Sequence, residues 1–324
     1  MIIVQTPLRI SLFGGGTDFA AYYRLEGGCV LTSAIDKYIF LTIKPRFDSK
    51  IRVGYTRTEI VDQVEEVQHE LIREALRKTG VSAAVEITTM GDIPAGSGLS
   101  SSSAVTVGAL HAMYAYQNEL VSAERLAQEA CEIEIEILGK PIGKQDQYIA
   151  SYGGFRFIEF HPDDSVSCEK ITIPQRWLQR LNENLLLFYS GISRQSESIL
   201  SEQAQKIGAN LEILRSIKAM AFQARDALCQ GDIDTLGCLL NESWQLKKRL
   251  ASQISNPSIE RIYQTALEAG ALGGKITGAG GGGFLLLYCP PGQHENVRSA
   301  LADLSELPFR FEPYGSKVIF TYPH

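Results

Sequence analysis

The feature that most constrains this chain is a glycine- and serine-rich run at residues 94–103 (PAGSGLSSSS). It lies between a predicted strand at 85–89 and a predicted helix at 104–116. Glycine permits positive φ and close approach of the backbone to a ligand, and the first amides of a helix can bind an anion. Serine hydroxyls add donors for phosphate or an oxygen ligand for Mg²⁺. The run therefore predicts a phosphate-binding turn; the simpler interpretation is a flexible, capped helix start.

Two common nucleotide-binding motifs do not fit the glycine-rich segments. The P-loop pattern requires a lysine after its second glycine, which is missing at 94–103, and at 270–276 the spacing is one residue short. The dinucleotide fingerprint lacks its third glycine at Ser101. The run at 278–283 fits that spacing, but an apolar strand follows it instead of a helix.

Composition and length predict an ordinary two-domain globular protein. The 324 residues are 44% hydrophobic and 21% charged, and strands and helices alternate without regular βαβ repetition, which predicts the α+β class. We place the domain boundary near residue 180, giving domains at 1–180 and 181–324. The net charge of -6 argues against a nucleic-acid-binding protein with a broad basic face.

The remaining sequence signals predict an intracellular protein. The six cysteines form no CxxC pair, so we expect buried, reduced thiols and no zinc site. We find no signal peptide and no apolar run of membrane-spanning length, and we therefore expect a cytoplasmic protein. We expect a monomer or a homodimer. Helices are predicted at 60–78, 104–116, 122–138 and 295–304 and over most of 196–270; strands are predicted at 1–12, 30–43, 50–53, 85–89, 155–160, 185–189, 283–288, 309–311 and 317–320.

Two carboxylates are candidates for chemistry. On the helix predicted at 122–138, Glu134 falls inside the apolar arc, and a buried carboxylate is costly unless a cation or donors meet it. It is therefore either salt-bridged or a metal ligand, and its position alone leaves both open. Asp146 lies in a turn predicted after that helix, where an aspartate is usually a cap, but its closeness to Lys144 and Glu134 in sequence favours a functional role.

Three motifs together resemble the GHMP kinase superfamily of small-molecule kinases. They are residues 6–18 (TPLRISLFGGGTD), 94–104 (PAGSGLSSSSA) and 274–283 (GKITGAGGGG), and the resemblance covers nearly the whole chain. It implies an N-terminal domain like ribosomal S5 domain 2 and a ferredoxin-like C-terminal domain. One departure is Ser100, where the family commonly has glycine; it leaves the detailed geometry of the turn open but does not affect the resemblance.

The resemblance also implies a role for each motif residue in transfer of a phosphoryl group from ATP with Mg²⁺. Asp146 would orient or deprotonate the acceptor hydroxyl, and Arg9 would stabilise the developing charge. Glu134 and Ser102 would bind Mg²⁺, with Ser101 as the neighbouring alternative to Ser102. The triphosphate-binding residues would be Pro94, Gly96, Ser97, Gly98, Leu99, Ser100, Ser101, Ser102 and Ser103, and the acceptor-binding residues would be Gly15, Gly16, Thr17, Asp18, Lys144, Arg194, Gly280 and Gly281.

Within the superfamily, the first motif and residues 143–148 and 191–194 resemble the D-glycero-D-manno-heptose 7-phosphate kinases. This resemblance implies a small sugar phosphate as the acceptor and phosphorylation of its anomeric hydroxyl. Arg194 and Lys144 are then the candidates for binding the 7-phosphate, because arginine and lysine are the usual phosphate-binding side chains. The alternatives are another sugar 1-kinase (L-fucose or galactose type), a non-catalytic sugar-binding regulator, and a decarboxylase of the same superfamily.

Overall fold

A computed structural model describes residues 1–192 and 196–322 as two β-sheets with helices packed on and between them. The eight-stranded sheet has the order β12-β1-β2-β5-β3-β4, with β6 on β2 and β7 on β6; the second sheet has the order β11-β8-β10-β9. The strands are β1 (Ile2–Phe13), β2 (Gly28–Pro45), β3 (Ile51–Gly54), β4 (Thr58–Val61), β5 (Val85–Gly91), β6 (Phe155–Phe160), β7 (Val166–Lys170), β8 (Leu185–Tyr189), β9 (Gly273–Ile276), β10 (Phe284–Tyr288), β11 (Ser305–Glu306) and β12 (Lys317–Thr321).

The helices surround the long antiparallel pair of β1 and β2. α3 packs on both of these strands from one side, and α8 contacts both of them as well. The helices are α1 (Ala20–Glu26), α2 (Glu70–Thr79), α3 (Ser101–Tyr116), α4 (Ala123–Cys131), α5 (Gln145–Tyr152), α6 (Gln175–Glu183), α7 (Ser196–Gln205), α8 (Leu211–Gln230), α9 (Thr235–Lys247), α10 (Pro257–Glu268) and α11 (His294–Ala300).

The strand β1 is buried along most of its length, which explains its continuous apolar run. From Thr6 to Phe13 every residue is buried, because helices or the second half of the chain cover both faces. One hydrophobic cluster includes Leu8 of β1, Leu228 of α8 and Leu286 of β10, so the core is continuous from one sheet to the other. This shared core fixes β1, which carries Arg9, against the second sheet.

The predicted α+β class is confirmed, and most predicted elements are present. The helix predicted at 60–78 was too long, because α2 begins only at Glu70, after β4 and a short 3₁₀ turn. The helix predicted at 122–138 ends as α4 at Cys131 and continues as a π-helical turn, Glu132–Ile137. The strand predicted at 309–311 was wrong: only Phe311 forms an isolated bridge, to Ile35.

The two sheets differ in which parts of the chain supply their strands. The second sheet contains only strands between residues 185 and 306, whereas β12 returns to pair with β1 in the first sheet. The domain boundary near residue 180 stays a prediction. All six cysteines are free thiols, but they are not all buried as predicted, because Cys229 and Cys238 are exposed on the surface. No described helix is long and apolar enough to span a bilayer.

Candidate functional site

A cavity of about 600 Å³ opens between the two halves of the chain. Its walls come from β1, the loop before α1, the glycine–serine loop, the start of α5, and side chains of α7, α9 and β9. Most of the residues predicted for the site converge on it. Those that line the cavity are Arg9, Gly15, Gly16, Asp18, Pro94, Gly96, Gly98, Ser100, Ser101, Ser102, Ser103 and Asp146.

The glycine–serine loop joins β5 to α3 and presents polar groups to this cavity. Gly96 and Gly98 have φ of 75° and 85°, which glycine adopts without strain. The hydroxyls of Ser97, Ser100 and Ser101 are buried, and none has a hydrogen-bond partner within residues 1–192 and 196–322. Buried hydroxyls are rarely left unsatisfied, so this loop fits a polar ligand such as a phosphate chain.

Hydrogen bonds from Arg9 hold the backbone next to Ser100, the serine that stands where the family commonly has glycine. Its φ of 74° lies in the left-handed region, where a non-glycine residue is strained. The neighbouring backbone is held from β1, because the Arg9 amide donates to the Leu99 carbonyl at 3.2 Å and the Arg9 guanidinium donates to the Gly98 carbonyl at 2.8 Å. The turn therefore keeps a glycine-like shape although residue 100 is a serine.

Arg9 and Asp146 form a bidentate ion pair at the cavity wall. Arg9 Nε donates to Asp146 Oδ1 at 2.7 Å, and Nη2 donates to Oδ2 at 2.8 Å. The Arg9 side chain is buried, while that of Asp146 is 24% exposed and faces the cavity. Asp146 is not in a turn as expected; it lies in the first turn of α5, a helix that the sequence analysis missed.

Glu134, the predicted metal ligand, is a fully buried carboxylate beside the start of α3 and does not itself line the cavity. It accepts hydrogen bonds from Ser103 Oγ at 3.3 Å and from Gln147 Nε2 at 3.2 Å. Burial raises the pKa of Glu134 to about 7, although the Lys140 ammonium acts in the opposite direction. No Lys or Arg pairs directly with Glu134 among the described residues, so the salt bridge, one of its two predicted interpretations, is not formed.

The serine that faces Glu134 differs from the one predicted. Ser103 donates to the carboxylate, Ser101 has an unpartnered hydroxyl that lines the cavity, and Ser102, the predicted metal ligand, is the most exposed of the three. No group of three or more His, Cys, Asp or Glu side chains gathers in the part of the chain that the structure describes. A divalent cation here would therefore need phosphate or water oxygens beside Glu134 and a serine hydroxyl.

Asp18 lies at the other end of the cavity and is almost completely buried. Its carboxylate accepts from the Gly16 amide at 3.0 Å and from Gln145 Nε2 at 3.0 Å. Burial raises the pKa of Asp18, and the Gly16 hydrogen bond acts in the opposite direction. Gly143 is required for this arrangement, because a Cβ there would lie 2.0 Å from an Asp18 carboxylate oxygen.

The second glycine run brings the two halves together at the cavity. A Cβ on Gly278 would lie 2.8 Å from Gly98 Cα, and a Cβ on Gly283 would lie 2.3 Å from the Ser97 carbonyl oxygen. At these two positions only glycine lets the second half of the chain approach the glycine–serine loop this closely. Gly280 and Gly281, however, do not line the cavity; they pack on Ile254, whose carbonyl accepts from the Gly281 amide at 2.7 Å.

Several other predicted residues do not line the cavity. Lys144 is turned away from it: its ammonium lies 3.3 Å from Asp164 and over the Tyr23 ring. The Thr17 hydroxyl is used inside its own loop, donating to the Gly14 and Cys29 carbonyls. Two residues of the glycine–serine loop are also set back from the cavity, Leu99 in the core and Ser97 beside it; Arg194 lies outside the described residues.

Sequence reasoning missed several residues that line the cavity. Lys275 lies inside the third motif and Ser11 inside the first, but neither was given a role. One arm of the cavity is mainly apolar and aromatic, which no motif indicated. Its lining residues are Ile39, Tyr55, Thr56, His69, Leu71, Thr89, Met90, Ile93 and Val105.

Among the described residues, the cavity combines unpartnered serine hydroxyls, which can bind phosphate, with a paired Arg and Asp, which can orient a hydroxyl. Comparison with known proteins agrees: the model of the GHMP kinase N-terminal domain matches residues 65–154, and that of the C-terminal domain matches residues 224–306. The chain belongs to the GHMP kinase family. It is a sugar kinase, an enzyme that acts on a small-molecule substrate.

Individual relatives agree with this assignment. The chain is 33% identical over 317 residues to the D-glycero-alpha-D-manno-heptose 7-phosphate kinase of Campylobacter jejuni, with 93% of each chain covered. It is 27% identical to the galactokinase of Pyrococcus furiosus, covering 93% of this chain and 92% of the other. A crystal structure titled a D-glycero-D-manno-heptose 1-phosphate kinase from Bacteroides thetaiotaomicron superimposes with a TM-score of 0.84, at 26% identity and full coverage of both chains.

Proposed function

We propose that this kinase transfers the γ-phosphoryl group of ATP to the anomeric hydroxyl of D-glycero-D-manno-heptose 7-phosphate, giving the 1,7-bisphosphate. The names of the two heptose kinase relatives support a heptose phosphate as the substrate, although they differ in the position of its phosphate. The observation that carries the proposal is the Arg9–Asp146 pair, which lines the same cavity as the glycine–serine loop.

The pair is suited to activate a hydroxyl. The Asp146 carboxylate can accept a hydrogen bond from the acceptor hydroxyl and orient its oxygen, and it can take the proton as the new bond forms. An anomeric hydroxyl is more acidic than an ordinary alcohol, so a carboxylate is a sufficient proton acceptor. Arg9 holds the carboxylate through two hydrogen bonds, and its buried guanidinium stabilises negative charge nearby.

The glycine–serine loop is the place for the triphosphate. Its left-handed glycines and the first amides of α3 form an anion-binding turn, and the unpartnered hydroxyls of Ser100 and Ser101 can donate to phosphate oxygens. The apolar arm that contains Tyr55, His69 and Met90 would then accept the base. Phosphoryl transfer depends mainly on such positioning and on charge neutralisation.

The residues present fit a magnesium ion. Within residues 1–192 and 196–322, Glu134 is a buried carboxylate without a direct cationic partner, and the Ser101 hydroxyl at the start of α3 has no hydrogen-bond partner. We propose that Glu134 and Ser101 hold Mg²⁺ together with phosphate oxygens, with Ser101 in place of the predicted Ser102. When bound, the ion would neutralise charge on the transferred group.

A second acceptor class is favoured by one observation, the position of Lys144. This side chain was expected to bind the 7-phosphate, but it pairs with Asp164 away from the cavity. Without that cation, an unphosphorylated sugar of the L-fucose or galactose type would fit the same catalytic pair. Lys247 lines the cavity and is a remaining candidate for contact with a substrate phosphate.

The test is ATP turnover by the purified protein against a panel of heptose 7-phosphate, heptose 1-phosphate, free heptose, L-fucose and galactose, with product phosphate positions assigned by ³¹P NMR. We expect the highest kcat/KM with the 7-phosphate and a new anomeric phosphate in the product. A free sugar that exceeds it, or phosphate added at C7 of the 1-phosphate, would overturn the proposed substrate. Lys144→Ala serves as a control, and we expect it to change the KM for the sugar phosphate less than threefold.

A further inference from the structure

Three polar side chains at the acceptor end of the cavity have groups that nothing in the described chain satisfies. The Ser11 hydroxyl and the Gln145 Oε1 are buried and have no hydrogen-bond partner. The Lys275 ammonium is buried and makes one hydrogen bond, to the Leu12 carbonyl at 3.0 Å, although it has three donors. All three residues line the cavity, and the family motifs assigned a role to none of them.

Lys275 reaches the site from the second sheet. It lies on β9, where Gly273 and Gly274 have no room for side chains, because a Cβ on either would lie within 2.4 Å of a backbone oxygen of α9 or β10. The lysine is the longest side chain of this strand, and its ammonium crosses to β1 of the first sheet. The second half of the chain therefore contributes a cationic hydrogen-bond donor to the cavity wall beside β1.

Ser11 lies on the acceptor side of the catalytic pair. Ser11 and Arg9 are two residues apart on β1 and so face the same side of the strand. The glycine–serine loop meets β1 at Arg9, whose amide donates to Leu99. The strand then runs on past Ser11 towards the loop that holds Asp18. Ser11 is thus displaced from Arg9 in the direction away from the predicted phosphate-binding turn.

Gln145 completes the cluster from α5. Its Nε2 donates to Asp18, which identifies Oε1 as the unused acceptor. The position that a Cβ on Gly15 would take lies 3.8 Å from Ser11 Oγ and 3.9 Å from Gln145 Nε2, so the two side chains flank the same small gap. Gln145 also precedes Asp146 directly, so a ligand that contacts Gln145 is beside the proposed proton acceptor.

The cluster has the chemistry of a polyol-binding site. A hydroxyl that donates and accepts, an amide oxygen that accepts and an ammonium that donates complement neighbouring hydroxyls of a sugar, each of which can do both. Phosphate would use the two donors, but the Gln145 oxygen would repel it. Leaving three buried polar groups unsatisfied is unfavourable, so a bound sugar would relieve that cost.

We propose that Ser11, Gln145 and Lys275 form the subsite that binds ring hydroxyls of the acceptor sugar beside the Arg9–Asp146 pair. This inference rests on the proposed sugar kinase reaction and identifies the residues that select its acceptor. Burial and the nearby Arg9 guanidinium lower the pKa of Lys275 to about 7, and Asp18 acts in the opposite direction. Apart from Asp18, the charged residues that line the cavity with Lys275 are Arg9, Asp146 and Lys247. A sugar hydroxyl that accepts a hydrogen bond from Lys275 would favour its charged ammonium form.

The experiment compares steady-state constants of the full-length variants Ser11→Ala and Lys275→Met with the wild type, using whichever panel sugar the wild type phosphorylates best. Removing one hydrogen bond from a buried polar group should raise the KM for the sugar roughly 10- to 100-fold and change the KM for ATP less than threefold. The matched control is Lys218→Met, which removes another lysine that donates to a backbone carbonyl, that of Glu26, outside the cavity.

Deoxy analogues of the sugar assign the contacts. An analogue that lacks the hydroxyl bound by Ser11 should lose affinity for the wild type but lose nothing further with Ser11→Ala. For any variant whose turnover is too slow to assay, the affinity for the sugar is measured by calorimetry. The inference fails if these variants raise the KM for the sugar no more than Lys218→Met does, or raise the KM for ATP equally.

The outcomes separate this inference from the proposed substrate. If the wild type prefers another sugar and the variants weaken its binding, the heptose 7-phosphate assignment fails and the subsite stands. If heptose 7-phosphate is preferred and the variants bind it normally, the subsite fails and the assignment stands. If the wild type neither binds nor phosphorylates any sugar of the panel, both are overturned.

Discussion

The two ends of the cavity are built in different ways. At the glycine–serine end, backbone and small hydroxyls dominate, and Glu134 lies buried behind this end, bonded to Ser103, without lining the cavity itself. At the acceptor end, long side chains dominate, and Arg9, Asp146 and Asp18 hold one another or neighbouring groups by hydrogen bonds. Backbone amides can bind the triphosphate, which is the same in every ATP molecule. Side chains can bind the acceptor sugar, which differs between the kinases that share a fold.

Replacing Asp146 by Asn should affect the acceptor end alone and produce the largest loss. We expect kcat to fall by roughly 10²–10⁴ with little change in the KM for ATP, because the proton acceptor is lost and Arg9 loses its anionic partner. Steady-state kinetics with both substrates varied measure this. Asp164→Asn is the matched control, since Asp164 pairs with Lys144 outside the cavity; turnover of Asp146→Asn equal to that control would remove Asp146 from the mechanism.

Replacing Glu134 by Gln should affect the opposite end. We expect at least about a 10-fold rise in the Mg²⁺ concentration needed for half-maximal activity, because an amide is a weaker ligand than a carboxylate. Titration of activity with Mg²⁺ at saturating sugar is the measurement. Glu136→Gln changes an exposed carboxylate of the same π-helical turn, and an equal shift in both variants would exclude Glu134 as a ligand.

Ser101 and Ser102 can be distinguished by single alanine variants. Ser101→Ala should raise the KM for MgATP roughly 10-fold, since it deletes a buried hydroxyl that the fold leaves unpartnered. Ser102→Ala, at a more exposed position, should change it less than threefold. The reverse order would restore Ser102 as the ligand that the sequence favoured.

The contact between the two glycine runs can be broken with one methyl group. In Gly278→Ala the new Cβ would lie 2.8 Å from Gly98 Cα at a φ of 64°, so we expect roughly 1–3 kcal/mol lower stability in urea unfolding. Gly139→Ala has the same φ of 64° but no atom within 4 Å, and it isolates the backbone strain from the clash. Equal losses in the two variants would mean that close approach is unimportant.

Lys275 should make stability depend on pH in an unusual direction. Its pKa is about 7 in the folded chain and 10.5 in a free side chain, so between those values the unfolded state binds more protons and stability rises with pH. Lys275→Met should remove that rise and be more stable than the wild type by roughly 1–3 kcal/mol below pH 7. Thermal unfolding of both proteins from pH 6 to pH 9 tests it; parallel curves would show that the lysine is not buried as described.

The features of the site that were predictable from the sequence are those that depend on residues close together in the chain. The glycine–serine turn, the apolar position of Glu134 and the strand β1 are readable locally, because helix periodicity and glycine conformation depend on near neighbours. Lys144 could not be placed correctly, since its partner Asp164 is twenty residues away along the chain and is brought near by folding. The helix α5 was missed because its eight residues carry little amphipathic pattern.

The position of Lys275 in the cavity also could not be predicted from the sequence, because it depends on a long-range contact. Nothing within β9 indicates that its ammonium reaches Leu12, because that contact joins residues 263 positions apart. Only the packing of the second sheet against β1 creates it, and motif spacing carries no information about that distance. Residues of this kind are found from unsatisfied polar atoms in the folded structure, which a linear pattern does not contain.

Arg9 binds the glycine–serine loop through Gly98 and the acceptor end through Asp146 with the same guanidinium. A substitution that shifts this arginine would disturb nucleotide and acceptor together. Changes of sugar preference, whether in evolution or in engineering, are therefore easier to achieve at residues not bonded to Arg9, such as Leu200 and Gln203 on α7. An enzyme redesigned for a new acceptor should retain its nucleotide affinity when the substitutions are confined to that helix.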